Sequence, residues 1–575
     1  MPVTQVLLYT QHTTRGQMSA FENIGFDSSV TDYKDAVTVN GLVISAPNPI
    51  SQSASVFMEK RPGLISSGAY ESGSLGTTSF TSSATGTLYG GFANGTTKSL
   101  RSGSGASGLI GTPDSGHDIT IITECPNPTI AASSSVLLVA TDGIGRYYHS
   151  QDVSNANLTF TGTTTSGSPI VTGVAGAGAG SNLMSGQRVS GTGIPANTRI
   201  LSVDLATQIT MNANATASGS ITITRESLAK IMDSDFPSSP VGPMIEMDGY
   251  IFQAADNKIH NSDLSSVTAW TSGNYMPYNT RAGQLCGVGR IRQYLLGFGT
   301  AGIEVYRNQG NPSGSPLVRI PEGFISYGPL GGSSITYPKF CFNRDMIFFA
   351  CNTIRAGTSG VWMMGNDLTP KKISTPIVDR ILIGAFFAST VMSCFDMWGH
   401  TFLHIGSSST SSNATLPSMF YCVESGEWSQ ASFPFNAHFS GGYYAPTCVS
   451  LNNTGGKVYT WGNYQGTQSY ADDSTAFTHK FVSENISLNN GKPFTVKSFR
   501  LLGDNQSGGT IALRTNTKDY DPGSWLSVGT FDKTDLSKPI YRGGYYRNRI
   551  VVELTDSHDS ASRLQALLVD WEPAG

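Results

Sequence analysis

Short runs of β-branched and aromatic residues, separated by clusters of Gly, Ser, Asn and Pro, recur along all 575 residues, while sustained 3.6-residue periodicity is almost absent. DITIITEC (118–125), SVLLVAT (135–141), YLLGFG (294–299), DMIFFAC (345–351), TFLHIG (401–406), SMFYCVE (418–424) and RIVVELT (549–555) are examples. A chain built this way folds as many short antiparallel strands, in a propeller, a sandwich or a barrel. Its length exceeds what one core organises, so several β modules are expected. Two short helices are also expected. In 374–383, Ser374 or Thr375 can cap, Pro376 fits the first turn, and Ile377 and Ile381 share a face. The second is ESLAKIMDSDF (226–236).

Between about 155 and 225 the composition changes: TFTGTTTSGSPIVTGV, GQRVSGTGIPANTRILSVD and QITMNANATASGSITIT read as alternating strands around a GxGIPxNT turn. This reads as an inserted Ig-like β-sandwich whose two ends meet in polar sequence.

Charge and cysteine usage restrict function. Only 13% of residues are charged, against roughly 25% in ordinary domains, and 36 Lys and Arg against 40 Asp and Glu leave a net charge of −4. Sequence-independent binding of phosphate backbones therefore has no global electrostatic support. Seven cysteines, at 125, 286, 341, 351, 394, 422 and 448, are odd in number and form no CxxC, which argues against a disulfide framework or a zinc knot. They read as mostly buried thiols of a protein made in a cytoplasm. The opening MPVTQVLLYTQHTTRG has no secretory pattern, and apolar runs such as 135–140 fall short of the ~20 residues of a membrane helix. No membrane anchor is expected.

The candidate chemistry is sparse. His400 and His404 in HTFLH have the spacing of a helical zinc pair, but no Glu follows His400 and the surrounding pattern is that of a strand. Asp233 with Asp235, Asp472 with Asp473, and Asp556 with Asp559 are the paired acids that glycoside hydrolysis would need, and they read as solvated turn residues. No GxSxG, P-loop or GxGxxG after a strand occurs. TKDYDPGSW (517–525) has the form of a degenerate Asp-box, with Trp525 packing beneath the turn. The expectation is a protein without catalytic residues, cofactor or metal.

VNGLVISAP (39–47) and MEKRPGL (58–64), the latter carrying Arg61, Pro62 and Gly63, open an ordered series of segments that resembles the packaged-DNA stabilisation proteins of short-tailed phages, also called tail accessory or nozzle proteins, and are similar to that family's opening strand and RPG turn. The stretch 248–270 follows, ending its display strand in an SDL turn. The block 287–321 contains TAGIEVYRNQG, which is similar to a TEVWYNSG form through Glu304 and Tyr306. GVWMMGNDLTPKKISTPIVDRIL (360–382) carries a TPxxIST cap at Thr369 and Pro370, and the paired strands 399–406 and 419–430 end in a GxW turn at Gly426 and Trp428. The closing strands 547–575 complete the series.

The resemblance implies a β-propeller-like main domain; together with the all-β patterning and the inserted small β-sandwich, which has no counterpart in that family, the expected fold is all-β with a C-terminal β region. Its expected divisions are 1–154, the N-terminal part of the propeller; 155–225, the insertion; 226–475, the remainder of the propeller; and 476–575, closing the fold. The resemblance further implies a homo-hexamer in the virion tail that extends and seals the DNA channel below the portal and adaptor. The implied partners are tail adaptor and portal-side proteins and tail fibre, spike or needle proteins, with double-stranded DNA passing through without sequence-specific binding. A glycan-binding or glycan-degrading propeller is the alternative, suggested by the Asp-box-like turn and the many Tyr and Trp residues.

Overall fold

The computed structural model describes residues 3–7, 37–47, 54–69 and, between 75 and 574, every strand named below with most of the connecting turns; the longest stretches outside it are 8–36, 408–417 and 330–338. The punctuated apolar runs become strands joined by tight hairpins. Asp248 with Gly249, Asp256 with Asn257, and Trp398 with Gly399 form two-residue connections with positive φ at both positions. That is the geometry whose twist matches right-handed strands, and it selects Gly, Asn and Asp.

Four-stranded antiparallel meanders repeat. Blade 1 is Leu75–Thr81, Leu88–Asn94, Thr97–Ser102 and Leu109–Gly111. Blade 2 is Ile119–Pro126, Ser135–Thr141, Ile144–His149 and the end of Gly219–Lys230. Blade 3 runs Pro240–Met247, Tyr250–Ala255, Lys258–Ser262 and Trp270–Pro277. Blade 4 runs Leu285–Ile291, Tyr294–Gly299, Gly302–Asn308 and Leu317–Ile325. Blade 5 is Phe340–Phe342, Ile347–Cys351, Gly360–Met364 and Pro370–Lys372. Blade 6 is Thr390–Met397, His400–Ser407, Ser418–Cys422 and Glu427–Ala431. Blade 7 takes three strands from Ala437–Ser440, Thr447–Ser450 and Lys457–Trp461, and its fourth, Leu64–Ala69, from far upstream.

The first strand of each blade packs on that of the next, and Ala437–Ser440 packs on Leu75–Thr81, so the ring is closed. The apolar cores lie between blades. Ile291, Phe298 and Val305 of blade 4 meet Phe340, Phe349 and Met364 of blade 5, and Val361 of blade 5 meets Leu403 and Met419 of blade 6. This is a β-propeller. Its ring closure comes from a strand at the N-terminal side, which removes the two open sheet edges that a linear series of blades would leave.

Both ends of the chain differ from the expected divisions. Gly41–Pro47 and Ala54–Lys60 do not enter the propeller; they form a sheet with Val3–Leu7, Phe494–Asp504, Tyr545–Tyr546 and Arg563–Pro573. That sheet faces a second one, Val37–Val39, His479–Val482, Val551–Asp556, Thr510–Asn516 and Leu526–Asp532. Val43, Met58, Phe499, Leu513, Phe531, Leu554 and Val569 share the core between them. The segment 476–575 thus builds a separate sandwich with the N-terminal strands rather than closing the propeller. Sandwich and ring join where Val39 pairs in parallel with Gln430 of blade 6.

The insertion is also not two facing sheets. Leu158–Thr164, Ile170–Ala175, Gln208–Met211 and Ile200–Leu205 follow Gly219–Lys230 in one curled sheet, Gln187–Ser190 pairs on the other edge of Gly219–Lys230, and an Arg188–Arg199 bridge brings the two ends together. Phe160, Val171, Val189, Ile209 and Ile223 fill its interior. The strand Gly219–Lys230 runs unbroken from this half-barrel into blade 2, so position 225 falls inside a strand, and the helix expected over 226–236 does not form. Partners on both edges outweigh the helical preference of Leu228, Ala229 and Lys230.

The helix expected over 374–383 is present at 378–379 and 381–382. The Val378 amide donates to Thr375 Oγ1 at 3.4 Å, which makes Thr375 the cap. Val378 and Leu382 form the buried face, while Ile381 is only partly buried. Pro376 and Ile377 lie outside the described residues. No helix among the described residues is long and apolar enough to cross a membrane.

Candidate functional site: the RPG seam and the motif residues

Arg61, Pro62 and Gly63 lie where the sandwich hands the chain to the ring-closing strand. Arg61 is fully buried. Its Nη1 donates to Asp472 Oδ1 at 2.8 Å, Nη2 pairs with Asp472 Oδ2, and Nε donates to Asn40 Oδ1 at 3.0 Å. Phe477 and Phe433 lie over its guanidinium at 3.8 and 4.4 Å. Asn40, in a left-handed turn with φ of 58°, also donates from Nδ2 to Ser432 Oγ at 2.7 Å and to the Thr478 carbonyl at 2.8 Å. Asp472 additionally accepts the Leu64 amide at 3.1 Å. One guanidinium thus ties the turn between the sandwich strands Val37–Val39 and Gly41–Pro47, the end of blade 6 and the segment after blade 7 to the start of the ring-closing strand. Gly63 is required by close approach, because a Cβ there would sit 2.2 Å from the Ala471 carbonyl oxygen.

Glu304 and Tyr306 form a second buried network, in blade 4. The Tyr306 hydroxyl donates to Glu304 Oε2, Arg319 Nε lies 2.8 Å from the same oxygen, and the Thr280 amide donates to Oε1 at 2.7 Å. Burial, then the hydrogen bond to Glu304, push the Tyr306 phenol far up. Trp428 is buried and donates from Nε1 to the Ile373 carbonyl at 2.8 Å, joining blade 6 to blade 5, while Gly426 supplies the φ of 75° in the preceding turn. Thr369 is exposed in the turn before Pro370, which begins the last strand of blade 5 and pairs with Met364. Trp525 is half-buried with Arg514 5.5 Å from its ring; most of the Asp-box-like turn, 518–523, lies outside the described residues. These motif residues do not converge on one pocket. They sit at seams between strands, blades and modules.

The acids do not behave as a solvated set. Asp472 and Asp556 are buried, at 1% and 2% exposure, and are ion-paired. Lys533 Nζ donates to Asp556 Oδ2 at 2.8 Å and Lys60 lies 4.0 Å from the same oxygen. Burial raises the Asp556 carboxyl, but Lys60, Lys533 and the His558 amide together hold it below its ordinary value. Burial brings Lys60 down to about 8. Asp473 pairs with Lys457, and Asp559 accepts the Tyr470 amide at 2.5 Å. Asp233 Oδ2 accepts the Trp270 amide at 3.0 Å and Asp235 Oδ2 the Ser272 amide at 3.2 Å, so this pair anchors the start of a blade-3 strand.

His400 and His404 share a strand, which spaces them by about 13 Å. His404 is buried between Ser393 Oγ and Ser418 Oγ, each at 3.3 Å, against the rings of Phe420 and Phe439. His400 sits at the hairpin tip.

Residues 150–409 match the family model described as bacteriophage P22 Gp10, β-propeller. Over this segment the chain resembles the phage-stabilisation family. The match takes in the insertion, blades 3 to 5 and the first two strands of blade 6, which is less than half of the chain. It points to a structural protein of a phage tail. No curated protein matches the chain. Among solved structures, a complex of an S. cerevisiae Dbp5 variant with Nup159, a Gle1 variant, IP6 and ADP is 6% identical, covers 70% of this chain and 95% of its own, with a TM-score of 0.32. Dihydro-heme d1 dehydrogenase NirN is 7% identical over 68% and 74%, at 0.25. A Bombyx mori GH32 β-fructofuranosidase mutant with sucrose is 12% identical over 57% and 90%, at 0.21. Likeness at these TM-scores carries no argument about fold or function.

Proposed function

We propose that the chain is a structural subunit of a short phage tail, six copies of which form a ring that extends and seals the DNA channel below the portal and adaptor and keeps packaged DNA in place. The observation that carries this reading is the phage-stabilisation match over 150–409. A ring around DNA is a head-to-tail assembly, so each subunit needs two different complementary surfaces. A propeller with a sandwich on one side and a half-barrel projecting from blade 2 offers unlike surfaces of that kind. A net charge of −4 suits a wall along which phosphates slide rather than bind.

The subunit acts by shape and not by turnover. Its paired acids are engaged in anchoring amides or in ion pairs, as Asp233, Asp235, Asp472 and Asp556 illustrate. Its neighbours are adaptor and portal-side proteins above and fibre, spike or needle proteins below. The test is imaging of virion tails together with particles made without the protein. Six copies on the tail axis, and packaged DNA that leaks in their absence, are the expected results. A peripheral location or normal DNA retention would overturn the reading; in that case a glycan-hydrolysis assay decides whether the glycan alternative replaces it.

A further inference from the structure

Two hairpins of blade 6 end on the same face of the ring. Trp398 and Gly399 turn the first, presenting His400, and the second runs from Cys422 through Val423, Glu424, Ser425 and Gly426. The Val423 amide donates to the Thr401 carbonyl at 2.9 Å, and the Thr401 amide donates to both Glu424 oxygens at 3.0 Å, which locks the two tips together. This register brings three potential ligand atoms into one cluster. His400 Nδ1 lies 3.6 Å from Glu424 Oε2, Cys422 Sγ lies 3.6 Å from the same oxygen, and all three ligand atoms fall within 4.8 Å of one another.

The His400–Glu424 separation is too long for an N–H···O hydrogen bond, while the Cys422 thiol donates to the same Glu424 oxygen, and both spacings suit a shared cation. Metal–sulfur, metal–nitrogen and metal–oxygen distances of ~2.3, ~2.05 and ~2.1 Å at tetrahedral angles place neighbouring ligand atoms about 3.4–3.6 Å apart. His400 Nδ1 is shielded from solvent and makes no hydrogen bond among the described residues. Glu424 keeps about a third of its side chain in solvent and provides the entry. We propose that His400 Nδ1, Cys422 Sγ and a Glu424 carboxylate oxygen form a three-ligand site for a borderline-soft divalent cation of the Zn²⁺ class, with a water in the fourth position.

The donor set supports the assignment. One thiolate, one carboxylate and a neutral imidazole balance a dication, so the occupied site is neutral where Cys422 borders the core shared by blades 6 and 7. Cys422 loses its proton to solvent as the metal–sulfur bond forms; no electron is transferred. Because only the thiolate ligates, binding displaces the thiol proton and releases it to solvent. The ion would cross-link two hairpins on one face of the ring, independently of the tail reading.

The experiment uses the full chain, stripped with a chelator and titrated with Zn²⁺ and then with Co²⁺. One equivalent bound per chain, proton release, and a cobalt–thiolate absorption in the near ultraviolet are expected. Cys422→Ser should abolish the thiolate absorption. His400→Gln and Glu424→Gln should each weaken Zn²⁺ binding by more than the ~10–100-fold typical of losing an outer-shell partner. Glu424 is exposed, so Glu424→Gln tests the site without endangering the fold. Absence of stoichiometric binding, or equal affinity in the wild type and Glu424→Gln, would overturn the proposal.

Discussion

Replacing Arg61 by Ala is the most searching perturbation of this architecture. The substitution removes two donors to Asp472 and one to Asn40, and strips the cation from between Phe433 and Phe477. Asp472 is 1% exposed and cannot regain water without opening the seam. An exposed pair would contribute only about 0–1 kcal/mol, but breaking a buried pair by removing one member costs about 3–5 kcal/mol, because the remaining charge stays uncompensated. The loss should concentrate at the ring closure, since Asp472 also holds the Leu64 amide at the start of the closing strand. Chemical denaturation of Arg61→Ala against wild type measures the magnitude, and hydrogen exchange of 64–69 locates it. A second variant, Arg61→Met with Asp472→Leu, removes both charges and should recover a large part of the loss. A loss below about 1 kcal/mol for Arg61→Ala, or unchanged exchange in 64–69, would refute the seam as a buried electrostatic latch.

Gly63→Ala should destabilise the same seam, because the added Cβ meets the Ala471 backbone at 2.2 Å, and a thermal melt reads the effect. Acid should weaken the fold through buried histidines: desolvation holds His404 and His479 at about 3 and His438 at about 4. As pH falls from about 6.5 towards 4 the unfolded chain takes up these protons first, so stability falls, and His404→Asn should reduce the slope by up to about 1.4 kcal/mol per pH unit. Deleting 155–225 behind a short Gly/Ser linker should leave a soluble ring, since 226–230 still supplies the fourth strand of blade 2; aggregation under conditions where the full chain is soluble would count against this. The purified chain should show no glycosidase, esterase or nuclease turnover, and activity lost on mutating Asp233 or Asp235 would contradict it.

The local part of this fold is written in the sequence. Alternating apolar runs bounded by Gly, Asn and Asp specify strands and positive-φ hairpins through interactions a few residues long, as at Asp256 with Asn257, and the Thr375 cap is equally local. The motif residues were legible as positions but not as partners: Arg61 meets Asp472 across 411 residues, and neither periodicity nor spacing carries information over that separation. The cross-hairpin meeting of His400, Cys422 and Glu424 was hidden for the same reason, because the visible His400–His404 spacing concerns one strand while the cluster depends on the register between two hairpins. Tertiary structure also decided the fate of 226–236, where ladder partners on both edges made a strand of a segment with helical preferences. It decided, too, that the N-terminal strands split between a sandwich and the propeller, because a strand's partner is chosen by which open edge and uncovered apolar face the rest of the chain leaves available.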